Sequence, residues 1–269
     1  MLRKLVPPAA LAALLIVAVA AGCATSGVNQ GDFNIVSIEE EWQLGRKLEA
    51  DIARQLPLLN DRSALAYLNG IGQRLVRQTE LGGRPWEFHI VRDSKVNAFN
   101  IPGGHVYVNT GLIQSAANAS ELAGVLGHEI AHGVSRHATE QLSKSYGLSM
   151  VASLVLGQNP AAYEQILAQI VGAGTLASFS RDAEREADRL GVRYMHGAGY
   201  NPEGMTRMFE KLLAQRRSRP GAVQQFFSTH PLTENRLKEL RADIAQLPDS
   251  SRLANNDSGF AGFKQRAGR

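Results

Sequence analysis

The chain has 269 residues, of which 44% are hydrophobic and 20% are charged, and its formal net charge is +4. This composition is ordinary for a globular protein, and the length is sufficient for one sizeable core. Because Arg3 and Lys4 belong to a leader segment, the remaining chain carries a charge of about +2, too small to indicate a nucleic-acid partner or a basic membrane surface.

The N-terminus has the order of a secretory signal peptide. A short basic segment opens the chain, an uncharged apolar stretch covers residues 5–21, and Ala21-Gly22-Cys23 follows at once. This order predicts a cleaved signal peptide at 1–22. The alternative is a transmembrane anchor, because the apolar stretch approaches the length that spans a bilayer. Two prolines near its start disfavour the anchor.

Cys23, the single cysteine of the chain, lies in a segment that resembles the bacterial lipoprotein box. The resemblance implies that Cys23 is lipid-modified and that residues 23–36 form a tether. Each buried methylene contributes about 0.8 kcal/mol, so several acyl chains hold a protein on a membrane. Ala24 replaces the Asp that commonly signals inner-membrane retention in such lipoproteins, which favours the periplasmic face of the outer membrane.

The folded domain is predicted to span residues 37–248. Ser37 and Glu40 form a capping box at the start of the first helix, and apolar residues recur at helical spacing in the first two segments. Alternating apolar residues then indicate short strands, and a Pro-Gly-Gly turn precedes the last of them. The predicted elements of this part are helices at 37–57 and 61–79 and strands around 86–90 and 106–108.

His128-Glu129-Ile130-Ala131-His132 is an H-E-x-x-H signature on a predicted helix that Asn118 caps. Residues four apart share one face of a helix, so His128 and His132 are placed to bind one zinc ion. Glu129 follows the first histidine and is placed to act as general base towards a water molecule. The signature therefore predicts a zinc hydrolase.

A catalytic zinc site needs a third protein ligand. Ser135 and Ala138 stand where a metzincin has Gly and His, which excludes that class. His137 is one residue out of register and is predicted to be a surface residue. The other histidines have no ligand spacing, and no role is assigned to them: His89, His105 and His196.

An acidic helix later in the chain offers a carboxylate ligand. Glu184 and Asp188 are four residues apart and share a face, so Glu184 can bind the metal while Asp188 holds a ligand histidine. Glu186 points away from that face and is the poorer candidate. The alternative is an ordinary charged helix whose acids pair with neighbouring arginines, and these residues alone leave both possibilities open.

The apolar segment 145–180 contains a single charge, Glu164. Gln158-Asn159-Pro160 interrupts it and predicts two apolar helices. A packed or lid-like hairpin is favoured over a membrane hairpin, because each half is too short to span a bilayer. The remaining predictions are helices at 181–197, 203–217 and 233–246 and a disordered tail at 249–269.

Four motifs occur in a fixed order: H-E-I-A-H, S-R-D-A-E-R-E-A-D-R-L-G, A-G-Y-N-P and F-F-S-T-H-P-L-T-E-N-R-L. Over residues 37–245 they resemble the HtpX and CAAX-protease type of zinc metallopeptidases, and more closely the periplasmic BepA/LoiP-like branch. The resemblance implies an α+β, zincin-like (gluzincin) domain, mostly helical with a small sheet. It also implies one zinc ion per chain, with Glu184 as third ligand, Asp188 as its supporting partner and Glu129 as general base.

His230 matches a histidine that can approach the zinc in such proteins. It either donates a hydrogen bond to the oxyanion or occupies the open zinc position and keeps the enzyme latent, and a purely structural histidine is the third possibility. Residues 97–100 resemble the segment that flanks the substrate groove, where an edge strand can pair with an extended peptide. No helical-repeat segment follows the catalytic part, so partner recruitment through repeats is not expected.

We therefore expect a zinc endopeptidase that removes misfolded proteins of the cell envelope and contacts the membrane through Cys23. The alternative is a chaperone-like envelope lipoprotein that binds unfolded outer-membrane proteins and keeps a latent zinc site. Its basis is the apolar segment 145–180 and the possible blocking role of His230. A zinc hydrolase acting on bonds other than peptides has no supporting feature.

Overall fold

The computed structural model describes Asn34 and residues 36–155, 157–173 and 178–269. Cys23, the signal peptide and nearly all of the tether lie outside these residues, so their assignments stay predictions. Among the described residues, no helix combines the length and the apolar character needed to cross a membrane.

Most of the described chain is helical. The helices are α1 (Ile38–Ile52), α2 (Arg62–Val76), α3 (Thr110–Ser115), α4 (Ala119–Val134), α5 (His137–Val155), α6 (Pro160–Ala173), α7 (Arg181–Gly197), α8 (Glu203–Ser218), α9 (Pro220–Thr229), α10 (Glu234–Ala245) and α11 (Phe260–Ala267). The strands are β1 (Glu87–Val91), β2 (Ala98–Ile101) and β3 (His105–Asn109). The predicted helices and strands are confirmed, whereas α3, α9 and α11 were not predicted.

The strands form one small sheet in the order β1-β3-β2. β3 pairs with β1 in parallel and with β2 in antiparallel orientation. Gly103 and Gly104 connect β2 to β3 with φ angles of 84° and 81°, a conformation that favours glycine. β2 is an edge strand, as the sequence predicts for this segment.

Both faces of the sheet are covered. Phe88, Val106 and Val108 point into the main core with α2 and α4, and successive strand residues alternate between faces. Phe99 and Tyr107 therefore lie on the opposite face, in a second core with apolar residues of α1, α5 and α6. The described residues of the apolar segment 145–180 thus belong to two helices that pack on the sheet, as the predicted packed hairpin requires.

α4 ends sharply after the H-E-x-x-H signature. Arg136 has a left-handed φ of 60°, and a new helix starts at the next residue. The buried Arg136 guanidinium donates to Val36 O and pairs with Glu41 of α1, at 2.6 Å between Nε and Oε2. This buried pair stabilises an unfavourable backbone conformation, which returns His137 towards α4.

Facing glycines allow α4 and α7 to approach closely. A Cβ at Gly127 would lie 3.1 Å from the Gly191 carbonyl oxygen, and one at Gly191 would lie 3.1 Å from His128 N. Gly191 shares one face of α7 with Glu184 and Asp188. The close approach therefore presses the acidic face of α7 against His128.

The tail predicted to be disordered at 249–269 is instead folded, and this prediction is corrected. Phe260 and Phe263 of α11 are buried in the main core, and the Phe263 ring stacks on Tyr67 of α2 with 4.7 Å between ring centroids. Phe260, Phe263 and Ala267 share one face at helical spacing. The polar composition of the segment obscured this short apolar face.

The variant Gly124→Ala is expected to lower the free energy of unfolding by about 1–3 kcal/mol. A Cβ there would lie 2.6 Å from Met205 Cα, so α8 would have to move away from α4. Gly262→Ala in α11 is the matched control, because nothing lies within 4 Å of a Cβ at that position. Alanine in a helix is about 0.5–1 kcal/mol more stable than glycine. Denaturant titration of both variants should therefore give shifts of opposite sign, and equal stabilities would contradict this packing.

Candidate metal centre

Four side chains meet between α4, α7 and the residue that follows α9, and we refer to His128, His132, Glu184 and His230 as the four-residue cluster. Each offers one metal-ligating atom, and these atoms lie within 4.8 Å of one another. The Nε2 atoms of His128 and His132 are 3.1 Å apart, and His132 Nε2 lies 3.4 Å from Glu184 Oε1. Donors around a tetrahedral zinc ion lie roughly 3.3–3.6 Å apart. The cluster therefore fits zinc with little adjustment.

The four-residue cluster is fully buried, with no member more than 1% exposed. Burial holds the pKa of His132 well below its ordinary value. Burial alone would raise the pKa of Glu184, but the charge of His230 and hydrogen bonds from His132 and His230 hold it well below the ordinary value. The site thus favours a neutral imidazole on His132 and a carboxylate on Glu184, the forms that bind zinc.

Glu129 is buried beside the cluster. Its Oε1 lies 3.4 Å from His230 Nε2, and neither carboxylate oxygen has a hydrogen-bond partner of normal geometry among the described residues. Burial raises the pKa of Glu129, and the neighbouring His230 and His128 offset this only in part. A carboxylate with free acceptor capacity and a raised pKa is suited to accept a proton.

A buried ionic network orients His128 and Glu184. His128 Nδ1 lies 2.9 Å from Asp188 Oδ1. Arg236 donates to both oxygens of Asp188, at 2.8 Å from Nε and 2.7 Å from Nη2. Its Nη1 donates to Glu184 Oε2 at 2.5 Å and to Pro231 O at 3.0 Å. Such supporting partners fix the orientation of metal ligands.

Arg236 was not predicted as a site residue. The only signal for it in the sequence is its place in the Thr-Glu-Asn-Arg-Leu part of the last motif. The planar guanidinium donates in two directions at once, which a lysine ammonium cannot reproduce with the same geometry. The N-terminus of α10 holds this side chain against α7, where Thr233 caps the helix by accepting a hydrogen bond from Arg236 N.

The prediction that His137 is a surface residue is wrong. Its side chain is buried, with Nδ1 2.8 Å from His132 Nδ1 and Nε2 3.0 Å from Glu186 Oε2. The prediction assumed that α4 continues past Ser135, whereas the turn at Arg136 folds His137 back beneath His132. Glu186 does not belong to the four-residue cluster, as its position on α7 predicts.

Phe179 covers the cluster from the segment before α7. Its ring stacks on His132 with 4.1 Å between ring centroids and an interplanar angle of 21°, and it lies 5.7 Å from the ring of His230. The Phe179 backbone N–H donates to Thr229 O at 3.3 Å. The segment before α7 and the end of α9 thus close the site together.

A helix with two histidines one turn apart, completed by a glutamate from a later helix, is the arrangement of a zincin metallopeptidase. Residues 63–244 match the model described as peptidase family M48. This match covers more than half of the chain, and the chain belongs to this family. Family membership and the donor set together confirm the predicted class, a zinc metallopeptidase of α+β fold.

The chain is similar to the beta-barrel assembly-enhancing protease of Escherichia coli (strain K12), with 34% identity over 225 residues, 79% of this chain and 45% of that protein. The corresponding protein of Yersinia pestis is 31% identical over 237 residues, 84% of this chain and 48% of its own length. The mitochondrial metalloendopeptidase OMA1 of Schizosaccharomyces pombe is 29% identical over 217 residues, 79% of this chain and 63% of that protein. The chain thus spans about half the length of the beta-barrel assembly-enhancing proteases that it matches.

The variant Asp188→Asn is expected to weaken zinc binding by about 10- to 100-fold, the usual effect of removing a residue that supports a ligand histidine. It removes the charge that faces both His128 and Arg236. Asp182→Asn on the same helix is the matched control, because the Asp182 side chain is 88% exposed. Competition with a fluorescent zinc chelator measures both affinities. Similar affinities for the two variants would show that Asp188 does not support the site.

Proposed function

We propose that the chain hydrolyses peptide bonds with a zinc ion held by His128, His132 and Glu184. The observation that carries this proposal is the convergence of these three donors next to the fully buried carboxylate of Glu129. The bound zinc would supply Lewis-acid chemistry, which activates water and polarises the scissile carbonyl. Asp188 and Arg236 would keep His128 and Glu184 oriented throughout the reaction.

Glu129 is proposed as the general base. Its carboxylate would accept the proton of the attacking water and deliver it to the leaving amine. Burial raises the pKa of the Glu129 carboxylate towards the working pH. A group whose pKa lies near the working pH both accepts and returns a proton efficiently.

The edge strand β2 is the proposed binding site for the substrate backbone. It runs beside the last turn of α4, where Asn100 lies against Gly133, and one of its sides pairs with β3. An extended peptide added to the other side would lie next to α4, the helix that carries His128 and His132. This mode of binding favours unfolded segments, because only an extended chain can pair with a strand.

Unfolded or misfolded proteins of the cell envelope are the proposed substrates, and lipidated Cys23 is the proposed anchor on the periplasmic face of the outer membrane. The signal-peptide and lipoprotein-box patterns support this location. The similarity to proteins named beta-barrel assembly-enhancing proteases supports the substrate class.

The variant Glu129→Gln is expected to lower the rate of casein cleavage by about 10²–10⁴-fold, the usual contribution of general-base catalysis, while the protein retains its zinc. Glu164→Gln, an exposed glutamate in α6, is the matched control and should keep the full rate. Fluorescent casein and zinc analysis of both variants provide the test. Undiminished cleavage by Glu129→Gln would refute the mechanism, whereas lost cleavage with full rescue of a deletion strain would favour the chaperone-like alternative.

His230 is proposed as a reversible fourth ligand rather than an oxyanion donor. Its Nδ1 lies 3.2 Å from His128 Nε2 and 3.0 Å from Glu184 Oε1, so it faces the same point as the other donors. A ligand in this position would occupy the place of the reacting water and keep the enzyme latent. The complete burial of the site supports a closed resting state.

The variant His230→Ala is expected to cleave casein faster, on the order of tenfold if about 90% of the chains are in the latent state. The reason is that the alanine leaves the fourth position of the zinc open to water. The variant should contain as much zinc as the wild-type protein, which separates the loss of a blocking ligand from the loss of the metal. A large fall in the rate with zinc retained would instead assign the oxyanion role to His230.

A further inference from the structure

A second group of metal-ligating side chains lies on the sheet face that points away from α4. Parallel pairing of β1 with β3 places Glu87 opposite His105 and His89 opposite Tyr107. Alternate residues of a strand share a face, so Glu87, His89, His105 and Tyr107 all lie on the face that carries the second core. His89 and His105 are far apart in the sequence, and only the register of the strands brings them together.

The three side chains of this outer cluster, Glu87, His89 and His105, have the spacing of a metal site. Glu87 Oε2 lies 3.9 Å from His89 Nε2 and 3.9 Å from His105 Nδ1, and the candidate ligand atoms all lie within 4.8 Å of one another. Donors bound to one zinc or similar ion lie roughly 3.3–3.6 Å apart. The Glu87 side chain is 57% exposed, so a small rotamer change can bring its carboxylate closer to both imidazoles.

Two of the donor atoms are buried without a hydrogen-bond partner among the described residues: His89 Nε2 and His105 Nδ1. The His105 side chain is only 6% exposed. Buried polar atoms in folded proteins nearly always have a partner, and each exception requires an explanation. A cation bound to both nitrogens would satisfy them together.

The surroundings keep both imidazoles neutral. Burial lowers the pKa of His89 to about 4, and burial, together with His89 and Arg46, lowers the pKa of His105 to about 4. Each neutral imidazole offers one nitrogen lone pair at neutral pH, as metal binding requires. The positive charge of Arg46 lies close enough to His105 to lower its pKa. Glu49 of α1 brings a negative charge near the site, and the Glu87 carboxylate contributes to raising the pKa of Glu49.

We propose that Glu87, His89 and His105 form a second binding site for a divalent transition-metal ion, separate from the H-E-x-x-H centre. Two imidazoles and one carboxylate favour zinc and its neighbours in the first transition series over calcium or magnesium, which prefer oxygen donors alone. The exposed side of Glu87 leaves further coordination positions open to water. This proposal is independent of peptide hydrolysis at the first site.

The test is the number of zinc ions bound by the untagged full chain after dialysis against a fixed free zinc concentration, determined by elemental mass spectrometry. We expect two zinc ions per wild-type chain and one per chain of the double variant Glu87→Gln/His89→Gln. The matched control Glu164→Gln/His196→Gln, with the same substitutions outside both sites, should retain two. Casein cleavage should be unchanged in the double variant, since α4 and its ligands are untouched.

Two results would overturn the proposal. One is a single zinc ion in the wild type, and the other is two zinc ions in the double variant. The single variant Glu87→Gln keeps the test valid if the double variant misfolds, because the Glu87 side chain is 57% exposed and the substitution preserves its shape. It should weaken binding of the second zinc ion without affecting binding of the first. Undiminished cleavage by Glu129→Gln would refute the proposed mechanism without changing this zinc count, so the two proposals fail separately.

Discussion

The metal centre depends on one buried arginine. Arg236 holds Asp188 with two donors and Glu184 with a third, and all three side chains are almost fully buried. Buried carboxylates without a compensating cation are costly in this environment. The guanidinium supplies that positive charge and holds the side chains of Glu184 and Asp188 in their orientations before a metal ion arrives.

Local signals explain why much of the fold and the site is predictable from the sequence. Asn118 and Ser180 cap α4 and α7 through hydrogen bonds to residues three positions later, so the starts of both helices are marked in the chain itself. The spacing of four between His128 and His132, and again between Glu184 and Asp188, then determines which side chains share a face. These features need no knowledge of the rest of the molecule.

The parts that the sequence does not reveal depend on contacts between distant segments. His137 supports His132 only because the chain reverses at Arg136, and that reversal depends on Glu41 nearly a hundred residues earlier. His89 and His105 meet only through the register of two parallel strands. Strand register and left-handed turns of this kind arise from tertiary packing, for which local composition has no marker.

The network is also compatible with the latch proposed for His230, because that latch would open without dismantling the site. Arg236 reaches the loop after α9 through a single bond, from Nη1 to Pro231 O. Its bonds to Asp188 use Nε and Nη2, and Glu184 is held by a shorter bond from Nη1. Movement of His230 and Pro231 would therefore remove one of the four hydrogen bonds of the guanidinium and leave those to the acidic side chains in place. His230 also contacts Glu184 directly, with 3.0 Å between Nδ1 and Oε1. Glu184 would keep its bond from Arg236 Nη1 when that contact is lost, so the proposed latch would open while the carboxylate stays in position.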